Sequence, residues 1–141
     1  EVYLEAGSKS GVVRPADKLE LVRPPLGALH VISATQPGAE PDREKDTARL
    51  AVLIEELRAA QIESIRAVGS SFSGDHREES RAVFGLTDDA ARDLGIRFGQ
   101  VAIFSWNGPR WSLLACADDR QVHRPWQWTE REQKSQGNST P

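Results

Sequence analysis

The stretch REESRAVF, residues 77–84, sets two carboxylates beside a hydroxyl: Glu78, Glu79 and Ser80. Paired carboxylates do general acid–base work when their surroundings push their proton affinities apart. On a strand, however, successive side chains face opposite ways, so Glu79 shares no face with either neighbour. A catalytic pair would need its second acid from elsewhere, and Asp46 and Asp75 are the acids in view. Otherwise the stretch reads as a solvated acidic loop. Ser80 lacks the Gly-x-Ser-x-Gly elbow that exposes a nucleophile. Gln100, inside RFGQVAIFSW at residues 97–106, stands between a helix end and an apolar strand. A glutamine there can satisfy helix-end carbonyls, or turn its amide into a cleft and orient a ligand. The first reading is preferred, because buried polar groups are hydrogen-bonded.

Other chemistry-bearing residues are less specific. GSSFSGDH, residues 69–76, resembles a phosphate-cradling loop in composition only, because no Gly-Lys-Ser/Thr follows it. His30, His76 and His123 are scattered without zinc-ligand spacing, so no metal and no cofactor is expected. Cys116 is the single cysteine and lies in an apolar run, where it behaves as a small hydrophobe. HRPWQW, residues 123–128, offers Arg124, Trp126 and Trp128, the residue types of interface hot spots. The same tryptophans would equally fold back and cap a sheet. With His123 and Arg131 they would also suit stacking on single-stranded bases.

Charge weighs against that last use. The 141 residues carry 18 Lys+Arg against 21 Asp+Glu, a net charge of -3, so there is no basic field for nucleic acid. One cysteine excludes an intrachain disulfide framework. No run approaches the ~20 apolar residues that cross a bilayer, so no membrane association and a cytoplasmic address are expected. The length fits one domain.

The elements that must position these residues follow from periodicity. KLELV, residues 18–22, and LHVISA, residues 29–34, alternate and flank Pro24, Pro25 and Gly27, which suggests a hairpin. In residues 42–61, Leu50, Leu53, Ile54 and Leu57 form one helical stripe, with Asp42 as N-cap. SIRAVG (64–69) and SRAVFGL (80–86) read as strands. Thr87 caps a second helix with Ala91, Leu94 and Phe98 inward; Gly95 implies close packing, and Gly99 a left-handed end. VAIFSW and WSLLACA then pair, setting Trp106 opposite Trp111. The expected fold is α+β: a mostly antiparallel sheet of about six strands with two helices packed on one face. Residues 1–118 would form the domain, 119–128 a Trp-rich segment, and 129–141 a polar tail without order of its own.

ISATQPG before a helix, REES-RAVFGL, and LGIRFGQVAIF together resemble an uncharacterised bacterial family, domain of unknown function 3293. The resemblance spans about residues 28–116. Its most specific pieces are Glu-Glu-Ser and Gly-Gln-x-Ala-Ile-Phe. Pro37, Glu78, Glu79, Ser80 and Gln100 match that pattern. Gln36 and Asp46 stand where the family carries Asn, and Asp75 or His76 where it carries Trp. The resemblance alone groups Gln36, Asp46, Arg49, Glu79, Ser80 and Gln100 into one candidate polar cleft, and it implies no known chemistry.

Two functions are weighed. The first is a small binding or accessory domain that docks a protein partner through Arg124, Trp126 and Trp128. The second is a hydrolase or transferase on a small polar or nucleotide-like substrate, with its cleft around Glu79 and Gln100.

Overall fold

A computed structural model describes residues 1–5, 10–16, 27–35, 42–70, 77–107 and 110–131. Among the described residues there are nine strands: β1 (Val2–Glu5), β2 (Ser10–Pro15), β3 (Leu29–Ser33), β4 (Ser64–Ser70), β5 (Arg77–Phe84), β6 (Ala102–Asn107), β7 (Arg110–Ala115), β8 (Gln121–Arg124) and β9 (Trp126–Arg131). Helix α1 (Arg43–Ala59) lies between β3 and β4, and α2 (Asp88–Arg97) between β5 and β6. All strands join one sheet in the order β8-β7-β6-β3-β5-β4-β1-β2-β9.

This corrects the expected six-stranded sheet with helices packed on a face. The sheet has nine strands, is antiparallel, and curls into a half-barrel. Four strands escaped the sequence reading. β1 and β2 are short, and their alternation rests on few apolar residues, Val2 and Leu4 in the first case. β8 and β9 carry mostly polar side chains and are separated by Pro125, which breaks any continuous pattern. The first strand of the expected hairpin falls within residues 17–26, outside the described residues; its second is β3.

Pro125 marks the place where the chain changes partners. β8 pairs with β7 at one edge of the sheet, and β9 pairs with β2 at the other. One residue thus links the two edges, and its carbonyl accepts a hydrogen bond from the N–H of Ala16 at 2.8 Å. A proline has no N–H to lose from a ladder, so it suits a point where pairing switches sides.

Curling divides the core in two. Inside, Val2, Leu4, Val13, Leu29, Val31, Ala67, Ala82, Trp106 and Trp111 are buried, with Phe104, Trp126 and Trp128 packed against them. All four tryptophans meet there. Trp106 stands opposite Trp111 as the register expectation required, with ring centroids 5.7 Å apart and planes crossing at 71°. Trp106 and Trp128 come from strands far apart in the sheet order, yet their centroids lie 5.4 Å apart, so the rings meet across the concave side. Gly11 makes room for this. A Cβ there would sit 2.4 Å from the Trp128 ring and 2.7 Å from the Thr129 carbonyl oxygen.

Outside, Leu53 and Leu57 of α1 and Ala91, Leu94 and Phe98 of α2 cover Ile32, Val83, Ile103 and Leu114. Each such leucine contributes roughly 1.5–3 kcal/mol by leaving water. Both expected caps form: Asp42 accepts from the Lys45 N–H at 3.1 Å, and Thr87 from the Ala90 N–H at 3.1 Å. Gly95 packs where a Cβ would lie 2.7 Å from the Cys116 sulfur. The helices make their main contacts with β3, β5, β6 and β7. On β4, β1 and β2, the convex face carries the buried Val12 and Val68 beside Tyr3, with Glu5, Arg66 and Ser70 around them.

Candidate functional site

The make-up of that face follows from register. Tyr3 pairs with Val12 and with Val68, and Val68 with Glu79, so these four side chains form one row across β2, β1, β4 and β5. Alternation places Arg66 and Arg77 on the same face, in the adjacent rows. Arg66 clamps Glu79 with both arms of its guanidinium, Nε–Oε1 at 2.9 Å and Nη2–Oε2 at 2.8 Å. A second carboxylate, Glu5, lies 3.7 Å from Arg66. The hydrogen bonds from Arg66, aided by its charge and that of Arg77, outweigh partial burial and hold the Glu79 carboxyl below the usual carboxylate range.

Beyond Glu79 the first turn of α1 overhangs the sheet. Thr35, Arg43, Asp46, Thr47, Leu50, Arg77 and Glu79 enclose a pocket of about 460 Å³. Two guanidiniums, two carboxylates and two threonine hydroxyls converge on it. Among the described residues, Arg43, Arg77 and Asp46 have no ion-pair partner, whereas Glu79 is held by Arg66. A second pocket of about 410 Å³ adjoins on the outer face of β4, β1 and β2, lined by Glu1, Tyr3, Val12, Arg66, Val68, Ser70 and Arg77. Arg77 borders both.

The six residues grouped from sequence are thus divided. Asp46 and Glu79 face the first pocket together, although 33 positions separate them in the chain. Arg49 and Gln100 do not line it; they brace the backbone next to it. Arg49 donates through Nε to the Ala34 carbonyl and through Nη2 to the Phe98 carbonyl at 2.7 Å. Gln100 donates its amide to the Thr35 carbonyl at 2.8 Å and the Phe98 carbonyl at 3.2 Å. Its own N–H bonds the Gly95 carbonyl at 2.9 Å while Gly99, at φ 73°, bonds that of Ile96, closing α2 in a Schellman turn. Two polar side chains thereby converge on the end of α2 and fix Thr35 at the pocket wall. Ser80 is buried, and its hydroxyl donates to the Glu78 carbonyl at 3.4 Å, away from Glu79. Gln36 lies outside the described residues.

Of the C-terminal candidates, Trp126 and Trp128 are half-buried in the aromatic cluster, with Trp126 5.4 Å from Trp111. Arg124 lies in β8 opposite Trp111.

Arg43, Arg77, Thr35 and Thr47 were missed, although two had a legible signal. Arg43 precedes Asp46 by three positions on a helix, and Arg77 precedes Glu79 by two on a strand, which are same-face spacings. Thr35 had none, being placed by the tertiary brace.

A second polar row lies under the start of α2. His30, Ser105, Ser112 and His123 stand opposite one another on β3, β6, β7 and β8. Asp88 meets His30 Nε2 at 2.8 Å and accepts from the Ser105 hydroxyl at 3.5 Å; Ser112 Oγ lies 2.7 Å from His123 Nδ1. Ser112 is only 5% exposed, so this hydroxyl–imidazole contact serves packing rather than attack on a substrate. Among the described residues no three His, Cys, Asp or Glu side chains cluster as metal ligands. Nor is any described helix long and apolar enough to cross a membrane.

No curated protein and no solved structure matches the chain. The family model "Protein of unknown function (DUF3293)" does match, over residues 32–103. That segment runs from β3 through α1, β4, β5 and α2 into β6, and so contains Thr35, Arg43, Asp46, Arg77 and Glu79 together with the Arg49–Gln100 brace. Just over half of the chain is covered, and the chain therefore belongs to the DUF3293 family.

Proposed function

We propose that this chain is a small binding domain that receives a phosphorylated, hydroxyl-rich compound in the pocket between α1 and β5. The observation that carries this reading is the convergence of Arg43 and Arg77, neither ion-paired among the described residues, with the equally unpaired Asp46. Guanidiniums match the oxygens of a phosphate in a two-pronged geometry, and a carboxylate accepts from a sugar hydroxyl. Thr35 and Thr47 add hydroxyls that donate or accept as the ligand requires.

Binding is favoured over catalysis for physical reasons. Glu79, the acid best placed to act, is clamped by Arg66 and held ionised, which makes it a poor proton donor near neutral pH. Ser80 points away from it. Docking of a protein through Trp126 and Trp128 is less well supported, since much of each ring is already covered within the cluster.

Titration calorimetry of the whole chain with ribose 5-phosphate tests the proposal. The expected result is a dissociation constant of about 1 mM or tighter. It should be weakened at least tenfold in Arg77→Ala, with the melting temperature unchanged. Absence of binding to the unaltered chain, or equal binding by Arg77→Ala, rejects it.

A further inference from the structure

Resting on that reading, we infer that the two adjoining pockets are subsites of one groove, and that its ligand is a nucleoside 5′-phosphate whose base lies against Tyr3. The two spaces differ in character. The first presents charge and hydroxyls. The second is lined by the partly exposed Tyr3 ring, with Glu1, Arg66 and Ser70 around it and Val12 and Val68 almost wholly buried beneath. Val12, Tyr3 and Val68 are cross-strand neighbours in one row, so ring and floor form one continuous strip on the sheet. A flat heterocycle gains from the Tyr3 ring what a phosphate cannot, namely stacking.

Spacing supports a single ligand. Arg77 borders both spaces. It lies on β5, two strands from Tyr3 on β1, which is about 10 Å across the sheet at normal strand separation. An extended arginine covers more than half of that span. A phosphate held by Arg77 and Arg43 therefore leaves a ribose near Asp46 and Glu79 and a base within reach of Tyr3. The Arg66–Glu79 pair runs between the two spaces, each partner lining one of them. It supplies a guanidinium edge for the base side and a carboxylate for a ribose hydroxyl. Both pockets lie on the part of the sheet that the helices leave uncovered or only overhang with the first turn of α1.

The test compares AMP with ribose 5-phosphate, the same phosphate and sugar without the base, on the unaltered chain, on Tyr3→Leu and on Arg77→Ala. AMP is expected to bind about tenfold more tightly than ribose 5-phosphate, and Tyr3→Leu to erase that difference while leaving ribose 5-phosphate unaffected. Arg77→Ala is expected to weaken both. Equal affinity of the two ligands, or an AMP preference that survives Tyr3→Leu, overturns the base subsite and leaves the phosphate reading intact. Failure of both ligands to bind overturns both. Thermal melts of each variant show whether the fold is retained, and Tyr3→Phe provides a second variant that keeps the ring if Tyr3→Leu fails to fold.

Discussion

On β4 and β5, Ala67 and Ala82 point into the half-barrel, where they are wholly buried among Val2, Leu4 and the tryptophans. On the same strands Arg66, one residue from Ala67, and Glu79, three from Ala82, point outward and stay about half exposed. Both regions are rich in residues that ordinarily signal binding, tryptophan inside and arginine with carboxylate outside. They differ in where the contacting atoms come from. The indoles find theirs within the molecule, ring against ring at 5.3 to 5.9 Å. Arg43, Arg77 and Asp46 find no ion-pair partner among the described residues. Residue type nominates both regions; charge without an ion-pair partner among the described residues distinguishes the outer one.

Truncation at the centre of the cluster should separate them most sharply. Trp111→Ala is expected to cost about 3–5 kcal/mol, read as a large fall in melting temperature. The Trp111 indole nitrogen is buried without a hydrogen-bond partner among the described residues, so Trp111→Phe should cost much less. If the two substitutions cost the same, a polar contact rather than packing holds that ring. On the helix side, Arg49→Ala removes donors to Ala34 and Phe98 and should cost about 2–3 kcal/mol in chemical denaturation. Arg49→Lys should not restore it, because a single ammonium cannot replace the fork.

A milder loss, about 1–3 kcal/mol, is expected for Gly11→Ala, whose new methyl group would meet the Trp128 ring. Adding Trp128→Leu should relieve part of it, measured as a positive interaction in a double-mutant cycle. Smaller again is the outer ion pair. Because Arg66 and Glu79 are half exposed, solvent screening limits the loss in Arg66→Ala to about 0.5–1 kcal/mol at neutral pH. The Glu79 carboxyl is held low in the folded chain, so its contribution is present above the ordinary carboxylate range and fades as pH falls through the folded value. The stability curves of the two proteins should therefore converge in acid; a gap that persists there would show that Arg66 acts through packing. Last, Arg77→Ala should change stability by less than about 0.5 kcal/mol while removing ligand binding, and a large fall in melting temperature would place Arg77 in the structural set instead.

What the sequence determined by itself is local. Leu50, Leu53 and Leu57 define α1, Asp42 and Thr87 cap the helices, Gly99 ends α2, and the runs around Ile103 and Leu114 pair with Trp106 opposite Trp111. Each is legible because period, capping and turn preference depend on residues a few positions apart. Gln100 belongs here in part, since its place after a helix end already implied a carbonyl to satisfy, although its second acceptor, Thr35, is 65 positions away. Only the tertiary structure decided the rest. Four further strands and the curl of the sheet depend on partners at distant positions, such as Val13 opposite Trp128. The same curl turned Trp126 and Trp128 inward, and the crossing of α1 over β5 set Asp46 with Glu79. Strand pairing and helix crossing are long-range choices, made by which surfaces exclude water together, and no window of neighbouring residues contains them.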